Sequence, residues 1–380
     1  MIRNEEGNPG SPQQQVKLIY LLQSVIIPHS TPWQLTDYNL LCQVFPLLKG
    51  HISHKATCLE WCQAGANTIV EYLISKNQTS QLRLCFEKSC LAGHISVATL
   101  LHPLLDHEFQ TKSEILQLIR QTCLIGQLDM VQWLLNMYQV TPSKRDLYGL
   151  YTFRTCCDNG HLKMAQWLHK TFNITPEEAR ECDNEAFRWS CADGHLETAQ
   201  WLYNTFQIRP KDAKTHYYFA FRCSCGNGHL RVAQWLHNTF IITSGEARVS
   251  DNDAFVSSCA NGHLNIAQWL YDTFHITNID AKMKDNNAFR QSCGNGHLNV
   301  AQWLYYTFQI TPGEAKTHDN QAFRESCANG HLNVARWLCD TFHLTLKDAK
   351  TDENYVFRVS CCKGHLDVTQ WLYNTFSITS

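Results

Sequence analysis

A repeat with a period of 34 residues constrains this chain more than any other feature of its 380 residues. Gly-His-Leu recurs every 34 residues from Gly160 to Gly364, with a Cys three residues before each Gly and a Trp seven residues after it. A further copy around Gly126 keeps the Cys and the Trp, and two weaker copies surround Gly65 and Gly93. About ten units therefore follow one another, which is typical of an array in which each unit packs only against its neighbours.

Each unit contains the pattern of two short helices. Around Gly330, the pair Asp319-Asn320 can cap the start of a first helix, in which Phe323 lies on the apolar face. Gly330 favours the end of that helix, and Trp337 belongs to the apolar stripe of a second helix. Helices of about ten residues are not stable alone in water, so each pair must stack on the next. We therefore predict an all-α fold, an α-solenoid of about ten stacked helix-turn-helix repeats with one continuous core.

The connection between repeats predicts a further helical turn. It reads Ile-Thr-Pro-Glu-Glu-Ala at residues 174–179 and Ile-Thr-Pro-Gly-Glu-Ala at residues 310–315. Thr at the cap, Pro at the first position and Glu at the third form a capping box, in which side chains and backbone amides satisfy each other. A plain solvated loop is the alternative interpretation.

Composition argues against several classes of protein. The formal net charge is −2, so neither nucleic acid nor an anionic membrane surface is an expected partner. No apolar run approaches the roughly 20 residues that cross a bilayer. Glu5 and Glu6 precede the longest apolar run, residues 18–27, which argues against a signal peptide. We expect an intracellular protein, cytoplasmic or nuclear, whose 18 cysteines are mostly reduced thiols.

The repeated Cys and His residues suggest metal ligands at first sight, because Cys191 and His195 have the spacing C-x3-H. Stacked helices lie about 8–10 Å apart, however, which is too far for equivalent thiols to share a site with bonds of about 2.3 Å. We interpret the cysteines as small buried side chains and the histidines as partners in a local hydrogen bond of the helix turn. No metal ligand and no cofactor is predicted. The tryptophans are expected in the core, and Trp303→Ala is expected to cost about 3–5 kcal/mol.

Two copies resemble the core of the ankyrin repeat. Residues 296–304 read Gly-His-Leu-Asn-Val-Ala-Gln-Trp-Leu and residues 330–338 read Gly-His-Leu-Asn-Val-Ala-Arg-Trp-Leu, which is similar to the ankyrin pattern A-A-x-x-G-H-x-x-V-V-x-x-L-L. The opening Thr-Pro-Leu-His of that family is absent, and the Ile-Thr-x-x-Glu-Ala turn replaces its β-hairpin finger. The resemblance therefore implies the helix pair rather than the finger. Copies so rich in Trp and Cys look similar to the ankyrin arrays of large DNA viruses and their protist relatives.

The repeat boundaries divide the chain into three segments. We predict a disordered N-terminus over residues 1–15, a helical cap or linker over residues 16–50, and an ankyrin-like array over residues 51–380. The resemblance implies protein binding through the concave surface formed by the first helices and the loops.

Two positions of the first helix vary freely between copies, whereas the core positions are nearly fixed. They lie four residues apart and hence on one helical face, away from the Phe-Ser-Cys core. An unconstrained solvated surface and a partner groove both explain this variation. Trp189, Phe219 and Tyr355 favour the groove, since exposed aromatic residues often carry binding energy. The candidate partner-binding residues are Glu185, Trp189, Phe219, Asp253, Asn287, Gln291, Gln321, Glu325, Tyr355 and Val359.

A row of arginines adjoins these positions. It comprises Arg154, Arg188, Arg222, Arg290, Arg324 and Arg358, and Val256 interrupts it. A track for phosphate groups is one interpretation. Bonding to loop carbonyls or to nearby acidic side chains is the interpretation we favour, because the chain as a whole is near neutral.

These features predict an intracellular scaffold or adaptor that binds a protein partner. The alternative is a substrate-recognition adaptor of a ubiquitin ligase, a host-modulating factor if the chain is viral, for which residues 16–50 would have to supply the helical docking module. An enzyme is not expected, since no Gly-rich phosphate loop, nucleophile elbow or paired carboxylate motif is present. Neither catalytic residues nor a small-molecule substrate is predicted.

Overall fold

The computed structural model describes residues 82–105, 111–349 and 351–377, and leaves the side chains of residues 351–353 undescribed. Of these residues 78 % are helical and none lies in a strand, which confirms the all-helical prediction. Nine of the predicted repeats, from Gly93 to Gly364, lie in these ranges. The segments predicted for residues 1–15 and 16–50, and the repeat around Gly65, lie outside the described residues.

Each repeat begins with a first helix and continues with an antiparallel second helix. The first helices are α1 Leu82–Leu91, α3 Lys112–Leu124, α5 Gly149–Asp158, α8 Glu181–Ala192, α11 Thr215–Gly226, α14 Val249–Ala260, α17 Met283–Gly294, α20 Thr317–Ala328 and α23 Thr351–Cys362. The second helices are α2 Ile95–Leu101, α4 Leu128–Met137, α6 Leu162–Phe172, α9 Leu196–Phe206, α12 Leu230–Phe240, α15 Leu264–Phe274, α18 Leu298–Phe308, α21 Leu332–Phe342 and α24 Leu366–Phe376. A 3₁₀ turn, His102–Leu104, follows α2.

A short turn helix connects the later repeats, as the capping boxes predict. These turn helices are α7 Pro176–Ala179, α10 Pro210–Ala213, α13 Ser244–Ala247, α16 Asn278–Ala281, α19 Pro312–Ala315 and α22 Leu346–Ala349. In α19, the Glu314 amide donates to Thr311 Oγ1 at 3.3 Å, and Glu314 Oε2 accepts from the Thr311 amide at 2.8 Å. The solvated-loop alternative is therefore wrong for these connections.

In five of the six turn helices the acidic residue near the start has a second partner in the preceding repeat, which sequence reasoning missed. Asp212 pairs instead with Arg209 of its own turn. Lys282 Nζ, at the end of the preceding turn helix, lies 2.8 Å from Glu314 Oε1. Lys316 contacts Asp348 in the same way at 3.1 Å. One carboxylate thus caps its own turn helix and pairs with the previous repeat, so these ion pairs join neighbouring repeats.

Acid should weaken these ion pairs, as Glu246 illustrates. Partial burial opposes ionisation of Glu246, but hydrogen bonds from Lys214, Thr243 and Tyr218 outweigh it and hold its pKa at about 2. A glutamate in an unfolded chain titrates near pH 4.3, roughly. The stabilisation is therefore complete above that pH and is lost as the pH falls toward about 2.

We expect Glu246→Gln to lower the urea midpoint of unfolding at pH 7 and to reduce the difference between the midpoints at pH 7 and pH 3. Glu197→Gln is the matched control, because Glu197 is exposed on α9. An unchanged pH difference in Glu246→Gln would show that the carboxylate does not support the fold.

The start of the first helix differs from the prediction. In α20, His318, Asp319 and Asn320 all have left-handed backbone angles, with φ of 52°, 54° and 57°. Asn320 does not cap its own helix: its Nδ2 lies 3.4 Å from the carbonyl oxygen of Asp348 in the next turn helix. Asn tolerates the left-handed region better than most residues, which explains why Asn recurs at the third position of this turn.

Small side chains fill the space between successive first helices. The repeated cysteines of seven repeats are buried, as predicted: Cys123, Cys157, Cys191, Cys225, Cys259, Cys293 and Cys327. Burial raises the pKa of the Cys123 thiol to about 12, so this group is a neutral thiol near pH 7. Cys361, in the last described repeat, is exposed.

The tryptophans are not the buried centre of the core, contrary to prediction. Trp303 is half-buried and packs against Phe255 of the preceding repeat, with ring centroids 6.1 Å apart. Phe255 and Phe308 are the fully buried rings. Trp303 belongs to the second helix α18, and its indole contacts both phenylalanines from that side. A loss of about 3–5 kcal/mol in the free energy of unfolding is therefore expected when one of these phenylalanines, rather than Trp303, is replaced by Ala.

The repeated histidines also act differently from the prediction. His297 makes no capping hydrogen bond at the start of α18. Its imidazole ring instead fills the space beside Gly262 of the preceding repeat, where a Cβ would collide with the ring. The same contact recurs between Gly296 and His331. The histidine is thus a contact between repeats, and the glycine leaves room for it.

Candidate functional site

The first of the two variable positions contacts an arginine of the preceding repeat. Arg154 Nε lies 3.2 Å from Glu185 Oε2. Arg222 forms an ion pair with Asp253, and Arg290 donates to Gln321. Such pairs span 31 residues in sequence, so a search of the repeat for complementary residues at that separation would have revealed them.

The aromatic residues at this position meet the same arginines through their ring faces. The Arg188 guanidinium lies 5.2 Å from the centroid of Phe219, and that of Arg324 lies 5.4 Å from the centroid of Tyr355. Such cation–π contacts stabilise by about 0.5–1 kcal/mol at exposed sites. Glu185, Phe219, Asp253, Asn287, Gln321 and Tyr355 are accordingly half-buried. The first variable position therefore has a structural role as well as an outward face.

The arginines are fixed by the left-handed turns, as the favoured interpretation held. Arg290 Nε donates to the Asp285 carbonyl oxygen at 2.9 Å and Arg290 Nη2 to that of Lys284 at 2.8 Å. Arg188 binds the carbonyls of Asp183 and Cys182 at 2.8 and 3.1 Å. In the left-handed turn these carbonyl groups point away from the backbone amides of the helix. The guanidinium group donates the hydrogen bonds that they would otherwise lack.

The second variable position lies one turn further along the first helix. Trp189 is exposed, whereas Gln291, Glu325 and Val359 are half-buried. Gln321 donates to Glu325 within α20. These four residues, together with the outer atoms of the first variable position, form the surface that we call the first-helix face.

A row of asparagines borders the first-helix face at the end of the helices. Asn295 Nδ2 donates to the Ala260 carbonyl oxygen at 2.7 Å, and Asn329 Nδ2 donates to that of Gly294 at 2.9 Å. These bonds satisfy carbonyl groups at the helix ends and fix the separation of neighbouring first helices. The face is therefore held rigidly by the contacts between repeats.

The three aromatic residues that favour the groove interpretation, Trp189, Phe219 and Tyr355, also make contacts within the array. Trp189 and Phe219 touch each other, with ring centroids 5.1 Å apart, and Phe219 and Tyr355 also pack on arginines. Replacing all three by Ala removes contacts between repeats, so stability would fall together with any change in binding. Variants that keep Phe219 and Tyr355 retain the contacts with the arginines, so they are expected to change stability less.

Two further features of the described ranges bear on chemistry. No group of three or more His, Cys, Asp or Glu side chains there is arranged to hold a metal ion. None of the helices within those ranges combines the length and the apolar character needed to cross a membrane.

No protein-family model matches the sequence, and no curated protein is significantly similar to it.

Proposed function

We propose that the chain is an ankyrin-type repeat array that binds a protein partner through the first-helix face. One observation carries this proposal: the residues that vary from copy to copy lie together on that face, while the buried Phe, Ser and Cys positions stay nearly constant. An unconstrained solvated surface would also vary, but an exposed aromatic residue such as Trp189 favours a binding surface. Recognition of an irregular partner surface does require such diversity.

The spacing of the helices supports binding on this side. First helices of consecutive repeats approach closely, whereas consecutive second helices lie farther apart. The small Ser and Cys side chains lie between the first helices. The larger Tyr271, Trp303 and Phe308 fill the gap between two second helices, with ring centroids 5.5–6.0 Å apart. Because the side chains between the second helices are larger than those between the first helices, the array would curve toward its first helices. The first-helix face would then be concave.

The arginines support a protein partner rather than a nucleic acid. Arg188, Arg222 and Arg290 use their donors on turn carbonyls and on residues of the next repeat. Guanidinium groups committed in this way are poorly placed to neutralise a row of phosphates.

The ankyrin assignment is supported by the Gly-His turn between the paired helices. Gly330 has φ of +81°, and the His331 amide donates back to the Ser326 carbonyl oxygen at 2.7 Å. The Trp- and Cys-rich copies favour an origin among the arrays of large DNA viruses, in which case the protein would act inside the host cell. The ubiquitin-ligase alternative requires a module in residues 16–50, which lie outside the described residues.

Affinity capture with matched variants tests the proposal. The wild-type chain, a face variant and a control variant would each be used as bait, followed by mass spectrometry and affinity measurement with the purified partner. The face variant carries Trp189→Ala, Gln291→Ala and Glu325→Ala, and the control carries Tyr306→Ala, an exposed residue of α18.

We expect the partner to bind the wild type and the control, and its affinity for the face variant to fall at least about tenfold, because the changed residues would lie at the interface. Equal affinity for all three baits would contradict the proposal, provided that the face variant keeps the helical circular-dichroism spectrum.

A further inference from the structure

Exposed aromatic side chains on the first-helix side are concentrated in three consecutive repeats. Tyr148, Tyr151, Trp189 and Tyr217 are 61 %, 58 %, 40 % and 75 % exposed. Beyond residue 220, the exposed large apolar side chains of the described residues lie on second helices or connections: Ile241, Ile279, Tyr306, Leu346, Leu366 and Tyr373. The first-helix face is therefore not uniform, and its aromatic part is centred on Trp189.

Trp189 is held in position by an aromatic ring of the next repeat. Phe219 of the next repeat meets the indole edge-on at an angle of 69°. Arg188 in turn packs on Phe219 and is anchored to two carbonyls of its own turn. The indole is thus held in place while a substantial part of it stays open, as a binding anchor requires.

Two carboxylates flank Trp189 in the sequence. Glu185 lies one helical turn before Trp189 on α8, and Asp193 follows four residues after Trp189, directly beyond the end of α8. Arg154 balances Glu185 at 3.2 Å, and no basic side chain pairs with Asp193 among the described ion pairs.

A third carboxylate, that of Asp158, comes from the preceding repeat. Equivalent positions in other repeats hold Gly226 and Gly294, where an added Cβ would lie 3.0 Å from the Cβ atoms of Ser257 and Glu325, respectively. Ser257 and Glu325 occupy the place of Trp189 in their own repeats, so Asp158 is directed toward Trp189.

The surroundings of Asp158 are negative on balance. Burial raises its pKa to about 7, and the charges of Glu185 and Asp193 add to this, against the opposing effect of Arg154 and Arg188. Its Oδ1 atom is buried and has no hydrogen-bond partner. A positive charge brought to the indole would relieve this repulsion.

Resting on the proposed function, we infer that the partner binds around Trp189 through a basic segment of polypeptide. A Lys or Arg side chain of that segment lies on the exposed indole, between the carboxylates of Glu185 and Asp193 and near that of Asp158. The aliphatic stem of such a side chain covers the ring, and its charge meets the carboxylates. The occupant is thus a cationic peptide segment rather than an acidic or a purely apolar one.

Selection from a phage-displayed library of random twelve-residue peptides against the full chain tests this inference. We expect the enriched peptides to contain Lys or Arg, and the affinity of a synthetic His-free representative to fall about tenfold or more in Trp189→Ala, because the cation loses its ring. Tyr306→Ala is the matched control, since Tyr306 is an exposed aromatic residue of the second helix α18, away from the first-helix face, and should leave the affinity unchanged.

The pH dependence gives an independent measure. Binding should tighten between pH 6 and pH 8, because Asp158 gains its charge over this range. Asp158→Ala should abolish this dependence, and it is expected to fold because the equivalent residues Ala192 and Ala260 are already Ala. Asp193→Asn should weaken binding without changing the fold.

Three outcomes would overturn the inference. Enriched peptides that lack basic residues, or basic peptides that bind Trp189→Ala as tightly as wild type, would exclude this anchor, and so would a library that yields no binder dependent on Trp189. If binding depended instead on Gln291 or Glu325, the proposal that partners bind the first-helix face would be supported, and only the assignment of the anchor to Trp189 would be wrong. Peptides unaffected by any change on the face would count against the proposed function as well.

Discussion

Phe255→Ala is expected to destabilise the chain by about 3–5 kcal/mol, the range for removing a buried aromatic ring. The ring of Phe255 is fully buried and contacts Trp303 and Phe308 of the next repeat at 6.1 and 6.0 Å between centroids. Its loss would leave a cavity between two repeats as well as within one. Because each repeat is held by its neighbours, the change would also weaken the coupling along the array.

Trp303→Ala is the informative comparison for this variant. The indole is only half-buried, so we expect a smaller loss of about 2 kcal/mol. Urea unfolding followed by circular dichroism, fitted with a nearest-neighbour model, would measure both. A loss in Trp303→Ala that exceeds that in Phe255→Ala would show that the indole, and not the phenylalanine, is the centre of the core.

Gly262→Ala should lower the free energy of unfolding by about 2 kcal/mol or more, for two reasons that can be tested separately. Gly262 has φ of +82°, which strains any residue with a Cβ, and the added Cβ would collide with the His297 ring. Gly364→Ala isolates the first effect, because Gly364 has φ of +78° but no atom near the added Cβ. Gly313→Ala has neither problem and should be neutral or slightly stabilising in its turn helix.

The double variant Gly262→Ala/His297→Ala tests the collision directly. Removing the imidazole makes room for the new methyl group. The double variant should therefore lose less free energy of unfolding than the two single variants lose together. The free energies of unfolding of the four proteins decide this. Strictly additive losses, or equal losses in Gly262→Ala and Gly364→Ala, would show that the histidine does not pack on the glycine.

The features within one repeat could be predicted from the sequence, because they follow local rules. The helix pair, the left-handed Gly330 and the capping box at Thr311 all depend on residues less than one period apart. The burial of Cys327 followed from its place on the apolar face. Each of these features repeats many times, so chance variation in one copy did not obscure the pattern.

The contacts between repeats were the part that sequence reasoning missed. The pairing of Lys282 with Glu314, and of Arg154 with Glu185, depends on how one repeat is placed on the next. Periodicity within a helix contains no information about that placement. The same reason explains the errors on His297 and Trp303, since each contacts the preceding repeat rather than its own turn.

The candidate binding residues show the same limit. Their variation placed them away from the buried Phe, Ser and Cys positions of the first helix, but it did not reveal that Phe219 and Tyr355 pack on arginines. Variation between copies reflects both complementary pairing across repeats and exposure to a partner. Only the structure shows that Trp189 is 40 % exposed, whereas Phe219 and Tyr355 are half-buried against arginines of the preceding repeat.

The most direct test of the central claim is a hydrogen–deuterium exchange footprint of the full chain with its captured and purified partner. We expect new protection in the first helices and left-handed turns, from α8 to α20, with little change in the second helices α9 to α21. Protection confined to the second helices or to the turn helices would contradict it, because the partner would then bind the opposite side of the array.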